Sequence, residues 1–186
     1  GRVTVGGATP KGRRGLMEYR RRVAWMPQTV RAAAGLSVRE QVALHGWLAG
    51  MNKKQAWGDA LAALGRVALT DLADHKAAAL SGGQRARMGL AQALVHDAEL
   101  VLLDEPTAAL DPDQKQSFVA LLHEVAAGRN VVVSTHDASD LEATYDRVIV
   151  LSEGSVKFIG STSEFLRPFD VEVSVVEAYR TAMEDC

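Results

Sequence analysis

The sequence predicts an α/β fold with a parallel sheet flanked by helices, and three observations predict it. Short uninterrupted aliphatic runs, Leu100–Leu103 and Val131–Val133, have the length and composition of buried parallel strands. Helical patterns alternate with these runs through the second half of the chain, as successive β-α units require. Residues 37–79 contain no alternating apolar run, so they read as a small helical subdomain.

In order, Arg2-Val-Thr-Val5 reads as a short strand closed by the turn signal Gly6-Gly7. Val23-Ala-Trp-Met26 is a second strand, stopped by Pro27, and Gln28 begins a loop. Ser37 with Glu40 three residues later is a capping box; Val38, Gln41, Val42, His45 and Leu48 continue at helical spacing. Asn52 with Gln55 repeats the capping signal, and Gly65 fits a helix C-cap. A helix over 82–95 leads to a strand over 99–104. Asp111 caps the next helix, with Pro112 in its first turn and Phe118, Leu121, Leu122 and Val125 as its apolar stripe; Gly128 ends it. Val131–Ser134 is the next strand, and a helix over roughly 138–145 follows. Arg147–Leu151 and Val156–Gly160 flank a hairpin signal at Ser152–Ser155. Residues 166–186 read as a short strand or helix without a motif. At 186 residues the chain reads as one domain over 1–186. A start directly in a strand predicts an N-terminally truncated domain with an antiparallel β remnant at its beginning.

Composition narrows the function classes. The chain is 47% hydrophobic and 24% charged, which is ordinary for a soluble globular protein. Its net charge of −2 implies no global attraction to nucleic acid or anionic membrane. Lys11, Arg13, Arg14 and Arg20–Arg22 are locally basic: a solvated face, or a phosphate or lipid contact. The single cysteine is Cys186, which excludes an internal disulfide and suits a reducing compartment. The aliphatic runs are far shorter than the ~20 residues of a membrane helix, so work at a membrane would pass through a partner.

The chemistry concentrates at two places. Leu100-Val-Leu-Leu-Asp104-Glu105-Pro-Thr107 is a strand ending in two adjacent carboxylates. In open α/β sheets ligands bind beyond the carboxyl ends of the strands, and neighbouring strand residues point to opposite sides. Asp104 therefore suits a hard cation such as Mg²⁺, and Glu105 suits orientation and deprotonation of a water. Leu80-Ser-Gly-Gly-Gln84 opens the helix upstream. Ser81 and Gln84 match a capping box, which is a structural reason for both. Two glycines in a first turn cost about 1 kcal/mol each relative to Ala, which suits a turn whose N–H groups must be approached by a phosphate.

These segments resemble the Walker B segment and signature motif of ATP-binding cassette (ABC) ATPases, and the resemblance covers residues 1 to about 165. It implies a P-loop NTPase-like sheet, ATP and Mg²⁺ as ligands, and ATP hydrolysis. Gln28 resembles the Q-loop glutamine, which senses Mg²⁺ and the γ-phosphate. Ala109-Leu-Asp111 resembles the D-loop, and His136 in Ser134-Thr-His-Asp137 resembles the H-switch. The resemblance thus makes Glu105 and His136 catalytic, and Gln28, Ser81, Gly82, Gly83, Gln84, Asp104 and Asp111 ligand-binding, with Asp104 and Gln28 at the metal. It also implies a second nucleotide-binding domain packed head to tail, and a transmembrane permease holding the chain at the cytoplasmic face of the plasma membrane. No nucleic acid is expected.

The sequence departs from the family pattern in several places. Gln92 stands where many members carry arginine, Ala109 replaces a common glycine, and Asp97-Ala98 replaces an Asn/Asp-Pro pair. No G-x-x-x-x-G-K-[ST] loop occurs anywhere in the chain; Gly7-Ala-Thr-Pro-Lys-Gly12 has the wrong spacing and order. A fragment of a longer domain and a degenerate domain both fit this absence. Three functions follow: the ATPase of an ABC transporter, a soluble ABC ATPase, or a non-catalytic module lending Ser81–Gln84 to a partner's site. Only about fifty residues separate Gln28 from Ser81, too few for the long coiled coils of the repair and condensation ATPases.

Overall fold

The computed structural model describes residues 2–7, 9–136 and 145–166. These fall into two compact units, Gly1–Ser134 and Thr135–Cys186.

The first unit is built on a three-stranded parallel sheet, β1 (Val23–Met26), β2 (Leu100–Asp104) and β3 (Asn130–Ser134), in that spatial order. The register pairs Met26 with Leu103 and Leu103 with Val133, and places Asp104 opposite Ser134. One face of the sheet is core: Ala24, Met26, Val101 and Leu103 are all at most 2% exposed. On the other face Trp25, Leu102 and Val132 align in register, and Trp25 (60%) and Val132 (54%) are largely exposed.

The helices follow from their capping chemistry. The Ser37 hydroxyl accepts the Glu40 N–H (3.2 Å) and Glu40 accepts the Ser37 N–H (2.7 Å), opening α2 (Val38–Leu48) as expected. Asn52 caps α3 (Lys53–Arg66) through the Gln55 N–H at 2.9 Å. Gly50, at φ +101°, ends α2, with the Met51 N–H reaching back to the Gly46 carbonyl at 3.1 Å. Gly65 lies within α3 instead of capping it, and the left-handed residue beyond is Ala68, at φ +54°. Two 3₁₀ turns, Thr70–Leu72 and Ala77–Ala79, complete the helical segment. A bridge between Ser37 and Lys76 ties its two ends together.

Helix α4 (Gly82–Leu94) runs back along the sheet. Gly89 lets it approach β1 and the loop after it, since a Cβ there would overlap Val30 Cγ2 and lie 3.1 Å from Met26 Cε. Helix α5 (Pro112–Ala126) buries Phe118, Leu122 and Val125, three of the four apolar positions expected to face the core. Below the sheet, Arg129 clamps Asp97 at 2.7 Å, joining the loops that enter β2 and β3 and holding the Asp97 carboxyl below the usual range.

The beginning of the chain departs from expectation. Residues 2–5 form no strand: Val5 takes a lone bridge, and Gly6 and Gly7 form the expected turn. Helix α1 (Gly12–Arg22) follows, with no buried residue. Its five arginines mask the apolar period, and Leu16 and Met17 remain 39% and 41% exposed. Among the described residues, antiparallel pairing of strands occurs only in the second unit, between β4 (Arg147–Ser152) and β5 (Ser155–Ser161).

That hairpin turns through Glu153 (φ +50°) and Gly154 (φ +76°), a type I′ signature that matches the twist of the flanking strands. Val148 and Val150 are buried, and Phe158 packs on Phe165 of the short helix α6 (Thr162–Leu166) with ring centroids 5.1 Å apart. The helix expected over 138–145 and most of the tail lie outside the described residues.

The first unit carries a titratable seam. His45 lies in the last turn of α2 and His96 lies just past α4. Burial pushes the His45 imidazole below its usual range, and neighbouring His96 adds to this. Burial also lowers His96, against an opposite pull from the Val23 backbone and Asp97. The unfolded chain then binds protons that the folded one resists, so stability is full above the ordinary histidine value near 6.5 and falls as pH drops below it. Thermal unfolding between pH 7.5 and 5 should show this loss, and His45→Gln with His96→Gln should flatten it.

Candidate functional site

Two groups of predicted residues come together. The first sits at the carboxyl edge of the parallel sheet. Asp104 ends β2, Glu105 follows it, and Gln28 follows β1 and Pro27. Parallel pairing brings these chain segments side by side, and the Gln28 Nε2 donates to Glu105 Oε2 at 2.8 Å across 77 residues of sequence. The Q-loop and Walker B candidates are thus in direct contact.

Glu105 is held in an unusual conformation. Its φ is +42°, a left-handed value, although the following Pro106 disfavours helical backbone of either hand. Such a residue costs of order 1–3 kcal/mol and persists only where its surroundings impose it. The Glu105 N–H is tied to both Ser134 Oγ (3.0 Å) and Ser134 O (3.1 Å). The Ser134 hydroxyl in turn donates to Asp104 Oδ1 at 2.8 Å. Sequence reasoning assigned Ser134 no role of its own; the available signal was a hydroxyl closing a valine run, at the strand end that the register sets opposite Asp104. His136 belongs to the second unit, two residues beyond β3.

The second group joins the turn at Ser81 to the start of α5. The Ser81 hydroxyl accepts the Gln84 N–H at 3.3 Å and Gln84 Oε1 accepts the Ser81 N–H at 2.9 Å, so the expected capping box is present. A helix leaves its first N–H groups without intrahelical partners. With Gln84 capped, the Gly82 and Gly83 N–H groups are those left for an anion at the positive end of the helix. Asp111 caps α5 by accepting the Gln114 N–H at 2.9 Å. Its neighbour Gln114 reaches over to the turn: a Cβ on Gly83 would lie 2.8 Å from Gln114 Oε1. A cleft of about 170 Å³ between α4 and α5 is lined by Gly83, Arg87, Asp113, Gln114 and Ser117, among others. Its lining includes neither Asp104 nor Glu105.

The two glycines therefore have different reasons. Gly83 is packed under Gln114, whereas a Cβ on Gly82 would meet nothing within 4 Å. Gln92, the departure in α4, is 5% exposed with its Nε2 unpartnered.

A family model described as ABC transporter matches residues 1–108, more than half of the chain. The chain belongs to this family. It is 37% identical to the phosphonates import ATP-binding protein PhnC 2 of a Synechococcus species over 158 residues, which cover 79% of this chain and 58% of that protein. It is also 37% identical to the methionine import ATP-binding protein MetN 2 of Burkholderia mallei over 145 residues, 77% of this chain and 37% of that protein. Among solved structures it resembles cbiO1 of Clostridium perfringens, part of the ABC transporter complex cbiONQ. The TM-score is 0.75 at 28% identity, covering 88% of this chain and 67% of that one. The chain thus spans 58% and 37% of the lengths of these two ABC relatives. The ABC fold, a parallel sheet flanked by helices, is as the sequence predicted.

The surroundings of the two glycines yield a prediction. Gly82→Ala should raise stability by up to about 1 kcal/mol, because helix propensity improves and nothing obstructs the methyl group. Gly83→Ala should gain less, by the cost of turning the exposed Gln114 side chain aside, and adding Gln114→Ala should restore the rest. Urea unfolding of the three variants checks this; a destabilising Gly82→Ala would contradict the open setting of that residue.

Proposed function

We propose that this chain works as the ATP-binding and ATP-hydrolysing part of an ABC transporter, driving a transmembrane permease from the cytoplasmic face of the membrane. The observation that carries the reading is the 2.8 Å hydrogen bond from Gln28 to Glu105, beside Asp104, at the carboxyl edge of a parallel sheet. No helix among the described residues is long and apolar enough to cross a membrane.

In this reading Glu105 accepts a proton from the water that attacks the γ-phosphate, and Gln28 orients both that water and Glu105 itself. The donor set fits Mg²⁺: the Asp104 carboxylate and the Gln28 amide oxygen are hard oxygen ligands, and this ion keeps waters and substrate phosphates in its shell. When bound, Mg²⁺ would neutralise charge on the phosphates. The N–H groups of Gly82 and Gly83 would bind the γ-phosphate of ATP held by a second, head-to-tail domain, and Asp111 would place its loop at the same interface. His136 would contact the γ-phosphate of the chain's own site.

The chain contains no P-loop sequence, so none of its residues supplies that loop's phosphate cradle. The open setting of Gly82 in the capped Ser81–Gln84 turn also supports a second reading: a non-catalytic module that lends this turn to a partner's ATP.

ATP turnover distinguishes the two readings when the chain is extended N-terminally by a P-loop-bearing segment and compared with its Glu105→Gln variant. Catalysis by Glu105 predicts hydrolysis by the extended protein, and a loss of roughly 10²–10⁴-fold in kcat with ATP binding retained in the variant. Turnover at an equal rate in both would overturn the catalytic role of Glu105, and turnover by neither would leave the lending module.

A further inference from the structure

We infer that Ser134 is a positioning residue for the two carboxylates: one hydroxyl sets the orientation of Asp104 and the backbone of Glu105 together. The inference rests on the proposed roles of Asp104 and Glu105 but concerns a residue to which those roles assign nothing.

The geometry is a single relay. The Ser134 Oγ donates its only proton to Asp104 Oδ1 at 2.8 Å and accepts the Glu105 N–H at 3.0 Å. A hydroxyl has one donor and two acceptor positions, so it can do both at once. A carbonyl could not donate to Asp104, and an ammonium could not accept from Glu105. The register places Ser134 directly opposite Asp104 on the neighbouring parallel strand, so the contact follows from strand pairing and not from a mobile loop.

Two consequences follow for the site. With Oδ1 engaged by the hydroxyl, rotation of the Asp104 carboxylate is restricted. Hydrogen bonds from a second layer of residues orient metal ligands in this way. The second consequence concerns Glu105. Its left-handed backbone, at φ +42° ahead of Pro106, is strained, and its N–H is gripped by both Ser134 Oγ and Ser134 O. That conformation turns the chain sharply after β2 and delivers the carboxylate to Gln28. Ser134 therefore reaches Gln28 through Glu105 although it does not touch it in any hydrogen bond described.

Ser134 is exposed, so its replacement leaves the core intact. The test uses the full chain and three variants: Ser134→Ala, Ser134→Thr, which keeps the hydroxyl, and Ser134→Val, which has the bulk of Thr without it. Two nuclear magnetic resonance readouts are taken. Amide hydrogen exchange at Glu105 reports the grip on its N–H, and the Gln28 side-chain amide resonance reports presentation of the carboxylate. Expected is exchange at Glu105 faster by about two- to tenfold in the Ala and Val variants, the range of one net hydrogen bond. A displaced Gln28 resonance should accompany it, with Thr close to the unaltered protein in both. If Ala and Val match the unaltered protein in either readout, or if Thr fails as they do, the proposal is overturned. None of these readouts involves hydrolysis. A Glu105→Gln variant that still turns over ATP removes the catalytic reading and leaves this result standing, and the converse also holds.

Discussion

Parallel pairing of three strands is the constraint on which the rest of this structure depends. Because β1, β2 and β3 run the same way in register, their carboxyl ends meet at one edge, and residues far apart in sequence become neighbours there. Gln28 reaches Glu105, and Ser134 faces Asp104, through that pairing alone. The apolar face beneath, with Ala24, Met26, Val101 and Leu103 against α4 and α5, fixes the strands in this register. A one-residue slip would turn every core side chain to the other face and undo the site at the same time.

The edge holds two kinds of polar device. At the sheet, backbone strain at Glu105 is sustained by side-chain hydrogen bonds, so a carboxylate is presented without a loop long enough to move. At the start of α4, a capping box stiffens the helix entry while two glycines leave its N–H groups accessible. The reciprocal cap satisfies the end of the helix without covering its positive terminus. Local stability and access for an anion are thus compatible at Ser81–Gln84, and the capping reading does not compete with the functional one.

The opposite face of the sheet has another character. Trp25 and Val132 stand exposed in one cross-strand row through Leu102, where a doubly covered parallel sheet would be dry. The aliphatic runs of β2 and β3 read as buried strands, but β3 buries neither of its faces fully. At Gln92, likewise, the glutamine that replaces a common arginine leaves a buried amide nitrogen unpartnered. Cost of this kind is small beside the burial of the surrounding helix, where eight residues of α4 are inside.

Much was legible in the sequence because it is written locally. Capping boxes at Ser37 and Ser81, the caps at Asn52 and Asp111, and the Glu153-Gly154 hairpin turn depend on residues within three or four positions of one another. The strand ending in Asp104-Glu105 was legible too, since an aliphatic run followed by two carboxylates and proline has few other uses. By itself, then, the sequence determined the α/β class, the helical segment over 37–79, and the candidate residues of both groups. Helix α1 escaped it, because it buries no residue and its five arginines read as a basic surface run and not as an element. Tertiary structure alone decided that Gln28 bonds Glu105, that Gln114 covers Gly83 but not Gly82, and that Ser134 joins both carboxylates. Those contacts bridge segments separated by about thirty residues or more, and strand register and helix packing, which set them, are properties of the assembled core and not of any window of sequence.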